Sequence, residues 1–220
     1  MGKHEFAVIG LGRFGRNVAL TLEQNGHQVL GIDENEELVQ ELAPYLTQAV
    51  ILDSTSMEAL KAVDIMSFDT VVVAIGTDFE ANILTTVLLK ELGVNRVICK
   101  APTLQQEKIL QRLGADEVVM PERESAVRLA ETLYNPGMLE KFSLGADTDY
   151  TIAEYTVPRK MCNQTMGQND IRGRLGINVL VIKRGEDVIV NPGADVILHT
   201  GDVLVMLGHE KDIAEFSQLL

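Results

Sequence analysis

The sequence predicts a doubly wound α/β domain followed by a smaller α+β domain. In residues 1–135, short apolar runs rich in β-branched side chains alternate with segments of helical spacing. The run Thr70–Ala74 is almost continuously apolar, as expected for a parallel strand covered on both faces. A glycine-rich stretch, Gly10–Gly15, separates the first apolar run from the first helical segment. Together these observations predict a parallel sheet with helices on both sides.

The predicted elements of the first domain alternate along the chain. Strands are expected at Phe6–Ile9, Gln28–Ile32, Val50–Leu52, Thr70–Ala74, Arg96–Lys100 and Glu117–Val119. Helices are expected at Arg13–Gln24, Glu36–Leu42, Ser56–Val63, Ala81–Leu92 and Leu104–Leu113.

The pattern changes after a further predicted helix, Glu122–Tyr134, which ends at a Pro-Gly stop signal. Beyond it, strands are predicted at Thr151–Val157, Asn178–Lys183, Val188–Val190 and Val203–Leu207, and a closing helix at Glu210–Leu219. The expected organisation is a first domain over residues 1–135, a connecting segment over 136–149 and a second domain over 150–220.

The composition excludes several classes of function. The net charge of −13 argues against nucleic-acid binding, because a phosphate backbone requires a basic face. No apolar run approaches the ~18–20 residues that cross a bilayer, and the first residues lack the apolar core of a signal peptide. Cys99 and Cys162 are too few for a disulfide framework. The sequence therefore predicts a cytoplasmic protein.

The glycine-rich stretch has the spacing of a phosphate-binding turn. Gly10 permits the tight turn, Gly12 lets the backbone approach a pyrophosphate, and Gly15 lets the helix pack closely on the sheet. The helix that follows offers its amide groups and partial positive charge to an anion. The motif predicts a Rossmann-like nucleotide site, and a glycine turn without a ligand is the alternative.

Polar residues at later strand ends are expected to complete the site. Asp33 follows Gly15 by 18 residues, close to the roughly 20-residue offset of a ribose-binding carboxylate. No arginine is adjacent to Asp33 in the sequence to receive a 2′-phosphate, so NADP is disfavoured. Asp53 is a candidate adenine-side acceptor. For both carboxylates, capping of the next helix is an alternative. Carboxyl ends of other strands bring further candidates to the same edge, namely Ser54, Ile75, Gly76 and Lys100.

Two arginines near the glycine turn need a separate explanation. A cation in the first turn of a helix opposes the helix dipole by roughly 0.3–1 kcal/mol. Arg16, close behind Arg13, is therefore better explained if it meets an anion in its own site or in a neighbouring subunit. A solvated surface arginine is the alternative.

No catalytic set accompanies the predicted site. The four histidines are scattered along the sequence, and HExxH and GxSxG motifs are missing from it. A second domain of about 70 residues is small for a substrate domain. The sequence thus predicts a nucleotide-binding protein that is not an enzyme.

With these residues assembled, the chain resembles the RCK family, which regulates the conductance of K⁺, and within it the cytosolic regulatory subunits of Ktr-type potassium uptake systems. The resemblance covers essentially the whole chain. It is most specific at Phe6–Gly15, Asp78–Asn82, Gly114–Glu122, Ile171–Arg172, Gly176–Val179 and Gly201–Leu204.

The resemblance implies a ring of subunits, commonly an octamer, docked on a membrane potassium-translocating dimer. It implies that ATP, ADP and sometimes NAD bind the first domain, and that Arg16 reaches a terminal phosphate across the subunit interface. It also implies an activating cation at Glu122 between subunits, for which a carboxylate favourably placed at a helix start is the alternative. The nucleotide site would be lined by Gly10, Gly12, Arg13, Phe14, Gly15, Asp33, Asp53, Gly76 and Lys100.

The resemblance further implies that cyclic di-AMP binds between paired second domains and inactivates transport. The matching residues are Arg172, Ile177, Asn178 and Pro192. The expected function is a regulatory subunit that ATP activates and that ADP or cyclic di-AMP inhibits. A small NAD-dependent oxidoreductase and a free-standing NAD or nucleotide sensor are the alternatives.

Overall fold

The computed structural model describes residues 4–145 and 148–218. Its contacts divide the chain into two compact units, Met1–Arg123 and Glu124–Leu220. The division falls within one helix, ten residues or so before the boundary at residue 135 that the sequence suggested. Each unit has a sheet and a hydrophobic core of its own.

The first unit contains a six-stranded parallel sheet in the order β3-β2-β1-β4-β5-β6. The strands are β1 Glu5–Ile9, β2 Gln28–Asp33, β3 Gln48–Ile51, β4 Thr70–Val73, β5 Val97–Lys100 and β6 Glu117–Val119. The helices are α1 Arg13–Gln24, α2 Glu36–Leu42, α3 Met57–Ala62, α4 Phe79–Glu91, α5 Leu104–Arg112 and α6 Pro121–Tyr134, the last of which crosses into the second unit. This order confirms the predicted Rossmann-like, doubly wound fold.

Burial of the central strands explains why their sequences carry no polar alternation. All four residues of β4 are buried, and Ala7, Val8 and Ile9 of β1 are at most 2% exposed. One face of the sheet packs in a cluster that includes Ile9 and Val73, and the other in a cluster that includes Val8 and Val72. Two covered faces require apolar side chains at every position, as in other parallel sheets.

The second unit contains a five-stranded antiparallel sheet in the order β10-β9-β11-β8-β7. Its strands are β7 Met138–Ser143, β8 Tyr150–Thr156, β9 Asn178–Arg184, β10 Asp187–Val190 and β11 Val203–His209. Short helices α7 Met166–Asn169 and α8 Ile171–Leu175 precede β9, and α9 Glu210–Ser217 follows β11. Leu219, placed at the end of this last helix by the sequence, lies outside the described residues.

The connecting segment predicted at residues 136–149 is wrong in part, because residues 138–143 form strand β7. This strand pairs antiparallel with β8, where Met138 lies opposite Tyr155 in the core. The strand was not predicted because only its first residue is buried, so its sequence shows no alternation of apolar and polar residues. Helices α7 and α8 were also missed, since four or five residues are too few to show a helical period.

An ion pair between Arg184 at the end of β9 and Asp202 just before β11 includes a buried carboxylate. The Asp202 side chain is 1% exposed and accepts hydrogen bonds from Arg184 Nε at 2.8 Å and Nη2 at 2.7 Å. The amide of His199 donates to the same carboxylate at 2.8 Å. Pairing with Arg184 lowers the pKa of Asp202 and outweighs the opposing effect of burial.

We expect Arg184→Ala to destabilise the second unit by on the order of 2 kcal/mol, because it leaves a buried carboxylate without its partner. The contribution of ionised Asp202 to the free energy of unfolding is fully present above the pKa of the carboxyl group in the unfolded chain, about 4. It is lost as the pH falls through the lower pKa that this group has in the folded protein. The difference between wild type and variant in urea unfolding should therefore shrink at acid pH.

The neighbouring variant Lys183→Ala serves as the control, because Lys183 forms a more exposed pair with Glu154. An equally large loss of unfolding free energy in this control would contradict the special role given to Asp202.

Candidate functional site

The glycine turn between β1 and α1 adopts the close geometry that its sequence requires. Gly10 has φ +91°, and a Cβ atom there would lie 3.1 Å from the backbone of Ala74 and Ile75. A Cβ on Gly15 would overlap the carbonyl oxygen of Gly10. By contrast, a Cβ on Gly12 would meet no described atom within 4 Å. The first and third glycines thus hold the turn against the sheet, and the second faces open space.

The amino end of α1 is free to receive an anion. Gly12 is the N-cap residue and has no side chain with which to accept from the helix amides, and the first turn of α1 contains no acidic residue. The turn is held by Asp33, whose Oδ2 accepts the Leu11 amide at 2.6 Å and whose Oδ1 accepts the Asn35 amide at 2.9 Å. Amides and helix dipole together make this end suitable for phosphate.

A crevice of about 820 Å³ opens at the carboxyl ends of the strands of the first unit. We call it the first crevice. Its lining includes Ile9, Gly10, Gly12, Arg13, Phe14, Asp33, Glu34, Asn35, Leu38, Leu52, Asp53, Ser54, Thr55, Ala74, Ile75, Gly76, Thr77, Asp78, Ala81, Lys100, Pro102 and Glu122. Ligands of doubly wound sheets bind at this edge.

Lys100 places a positive charge in the wall of the first crevice. Its side chain is 12% exposed, and its Nζ lies 2.7 Å from Glu122 Oε1 and 5.7 Å from the centre of the Phe14 ring. A Cβ on Gly76 would lie 3.3 Å from the same Nζ, so a glycine leaves room for the ammonium group. Bonding to Lys100, with a smaller contribution from Arg13, lowers the pKa of Glu122.

Most of the predicted nucleotide-site residues line the first crevice, and two do not. Gly15 supports the turn from beneath, and Arg16 forms an ion pair with Glu41 at 2.6 Å. The Ser54 hydroxyl is buried and bonds Thr85 Oγ1 at 2.8 Å. Contacts of Gly15, Arg16 and Ser54 with a ligand remain predictions.

Asp33 and Asp53 do not cap the helices that follow them, which was the alternative explanation of both. The side chain of Asn35 caps α2, and that of Ser56 caps α3. Asp53 Oδ1 instead accepts from the amide and the hydroxyl of Thr55, at 2.9 and 2.6 Å, and these bonds lower the pKa of Asp53. Both carboxylates therefore remain in the wall of the first crevice without serving as helix caps.

Sequence reasoning missed the role of Asn82. This residue is fully buried at the start of α4, and its Nδ2 donates to the carbonyl oxygens of Ile75 at 2.7 Å and Lys100 at 3.1 Å. It thereby ties together the ends of β4 and β5, which form the floor of the first crevice. The available signal was an asparagine among the apolar residues of a helix that covers the sheet, because a buried amide needs polar partners.

The second unit contains a smaller crevice of about 340 Å³, which we call the second crevice. All four predicted cyclic di-AMP residues line it. Ile177 is fully buried, whereas Arg172 and Asn178 are exposed at the rim. The whole lining is Met166, Gly167, Asp170, Ile171, Arg172, Ile177, Asn178, Val179, Pro192 and Ala194.

Among residues 4–145 and 148–218, no group of three or more His, Cys, Asp or Glu side chains is arranged as the direct ligands of one metal ion. The predicted cation at Glu122 thus has one carboxylate from this chain, paired with Lys100. Over the same residues, none of the helices combines the length and apolar character needed to cross a bilayer.

The fold and the first crevice define a class of protein: a Rossmann-like nucleotide-binding unit followed by a small α+β unit. Family models match both parts, the TrkA-N domain over residues 6–121 and the TrkA-C domain over residues 152–220. The chain belongs to this family, that of the RCK regulatory subunits of potassium uptake systems.

Relatives of known function match nearly the full chain. Ktr system potassium uptake protein C of Bacillus subtilis is 40% identical over 98% of this chain and 97% of its own length. Ktr system potassium uptake protein A of Vibrio alginolyticus is 36% identical over 97% of this chain and 96% of its own. Among solved structures, the GsuK channel bound to NAD has a TM-score of 0.72 and 18% identity, covering 99% of this chain and 39% of that chain. At this identity it supports the fold alone.

We expect Gly12→Ala to weaken nucleotide binding at least tenfold while leaving the fold intact. Its φ of −63° suits alanine, and the added methyl group points into open space in the first crevice, where a pyrophosphate would lie. Calorimetric titration with ATP measures the affinity, and thermal unfolding without nucleotide is the control. Unchanged ATP affinity would contradict the placement of phosphate at this turn.

Proposed function

We propose that this protein is a nucleotide-gated regulatory subunit of a potassium uptake system. The observation that carries the proposal is the amino end of α1, which has no side-chain cap and lies at a crevice that also contains the Asp33 carboxylate and the Lys100 ammonium group. These groups suit a nucleotide. The Ktr identity of relatives that match the full chain supports the role in potassium uptake.

In this proposal an adenine nucleotide lies in the first crevice in one orientation. Its phosphates would lie at the amides of the glycine turn, with the ribose hydroxyls at Asp33. The base would then reach Asp53, between the apolar side chains of Leu38 and Leu52. The residues that directly follow Asp33 in the lining are Glu34 and Asn35, a carboxylate and an amide, which disfavours a 2′-phosphate. The NAD named for the GsuK channel is of the same chemical class.

Lys100 offers a way for phosphates to be sensed. In the structure Glu122 neutralises it, so a phosphate that reaches Lys100 must compete with that carboxylate. Release of Glu122 would act on the first turn of α6, the helix that continues into the second unit. A nucleotide that engages Lys100 more strongly than another would shift the population of ring conformations further.

Arg16 is our candidate for the residue that counts phosphates across a subunit boundary. It lies one residue beyond the glycine turn and outside the first crevice, where Glu41 holds its guanidinium group. In the structure Glu41 is the anion that Arg16 meets at the helix start. In our proposal a terminal phosphate of a neighbouring subunit's nucleotide competes with Glu41 for this arginine. ATP activation, ADP inhibition, the ring (octameric in our proposal) and the activating cation at Glu122 all belong to this proposal.

The second crevice is the proposed site for cyclic di-AMP. Its volume suits one adenylate, so two copies of the crevice would enclose the two halves of a symmetric cyclic dinucleotide. Arg172 would bind phosphate, Asn178 offers polar bonds, and the Ile177 and Pro192 region supplies apolar surface for a base. Binding there would favour the inactive ring.

Calorimetric titration with ATP, ADP, NADH and cyclic di-AMP tests the proposal as a whole. We expect ATP and ADP to bind, and the protein to co-purify with an integral membrane potassium transporter from native membranes. Tight NADH binding with hydride transfer to a substrate would replace the proposal with an oxidoreductase. Nucleotide binding without any membrane partner would replace it with a free-standing sensor.

We expect Arg16→Ala to narrow the ratio of ATP to ADP affinity, because it removes the group proposed to meet a terminal phosphate. Glu41→Gln is the matched variant, since it frees Arg16 from its ion pair and should widen the ratio or leave it unchanged. Calorimetry on the assembled protein measures both affinities. Equal loss of ATP and ADP binding in Arg16→Ala would contradict the assignment.

We expect Arg172→Ala to weaken cyclic di-AMP binding at least tenfold, because it removes the cation at the second crevice. Arg174→Ala is the matched control: both arginines are exposed on α8, and only Arg172 lines the crevice. Calorimetry with cyclic di-AMP compares them. Similar losses from both substitutions would indicate a general charge effect in place of a site.

A further inference from the structure

The amino edge of the first sheet brings together two histidines and an aspartate. Strands β2, β1 and β4 are neighbours, and each is directly preceded by one of these residues: His27, His4 and Asp69. In the register of β1 with β2, Glu5 lies opposite Gln28, so the two histidines occupy the same level. Neighbouring parallel strands are about 4.8 Å apart, which makes the two imidazoles adjacent.

Main-chain bonds hold the three residues in place. The amide of Gln28 donates to the carbonyl of His4 at 3.1 Å, and that of Asp69 donates to the carbonyl of Glu5 at 2.9 Å. The arrangement therefore follows from the sheet itself and does not depend on a loop.

The two imidazoles differ in the hydrogen bonding of their Nδ1 atoms. Asp69 Oδ2 lies 3.2 Å from His4 Nδ1, so in neutral His4 the proton sits on Nδ1 and the lone pair on Nε2. A carboxylate behind a histidine in this way is the usual outer partner of a metal-binding imidazole. His27 Nδ1 is buried and makes no hydrogen bond within the described part of the chain. A buried polar atom of this kind is costly unless it binds something.

The spacing of the rings suits one shared ion. The centroids of His4 and His27 are 5.9 Å apart, and Phe6 packs edge-on against His27 at 5.3 Å. Nitrogen–metal distances of about 2.0–2.1 Å place the centres of two imidazoles on one ion roughly 5–6 Å apart.

We propose that His4 and His27 form a binding site for a transition-metal dication such as Zn²⁺, with Asp69 positioning His4 and water completing the coordination. Two imidazole nitrogens favour zinc, nickel or copper over magnesium and calcium, which prefer oxygen ligands. The site lies at the amino ends of the strands, whereas the first crevice lies at their carboxyl ends. It is independent of the proposed nucleotide site.

Calorimetric titration of the whole protein with ZnCl₂ tests the site, with Co²⁺ absorption as a second readout. We expect one ion per chain, a loss of affinity of at least tenfold in His4→Gln and in His27→Gln, and a smaller loss in Asp69→Asn. His199→Gln is the control, because that histidine is exposed in the second unit. Thermal unfolding in EDTA verifies that each variant folds, and ATP affinity should not change.

Two results would overturn the proposal. One is wild-type protein that binds no Zn²⁺. The other is Zn²⁺ binding that both histidine variants retain at wild-type affinity, which would place the ion at other side chains.

Discussion

The close approach between the glycine turn and the central strands is the constraint on which the first unit depends. Gly10 and Gly15 allow α1 to start against the backbone of Ala74, and Asp33 holds the turn through the Leu11 amide. A side chain at either glycine would push the helix away from the sheet. The same close approach places the amino end of α1, which has no side-chain cap, at the first crevice. The glycines that allow the helix to pack on the sheet therefore also form the proposed phosphate site.

Carboxylates outnumber cations in the lining of the first crevice. Five carboxylates line it, from Asp33, Glu34, Asp53, Asp78 and Glu122, against the two cations of Arg13 and Lys100. Because Lys100 is paired with Glu122, a phosphate that binds Lys100 must compete with that carboxylate. Under the proposed function, such competition would make the site responsive to the number of phosphates. This property suits a regulator better than a protein that holds a cofactor permanently.

The parts that the sequence predicted well are those with local or periodic causes. The six parallel strands, the turn Gly10–Gly15 and the strand-end residues Asp33 and Lys100 follow from apolar runs and from the rule that parallel strands share a carboxyl edge. The positions of Asn82 and strand β7 were not predicted. Asn82 bonds carbonyl groups 7 and 18 residues away along the chain. Strand β7 shows no hydrophobic alternation because only its first residue is buried, and its pairing with β8 is a contact between strands.

The sequence by itself determined the fold class, the family and the edge of the sheet where a nucleotide would bind. Each follows from hydrophobic periodicity or from a short motif whose geometry is fixed by its glycines. Only the tertiary structure decided the partners of the charged side chains: Arg16 with Glu41, Lys100 with Glu122, and His4 beside His27. These pairs join residues 22 to 25 positions apart. Their distances depend on strand order and register, which no local pattern encodes.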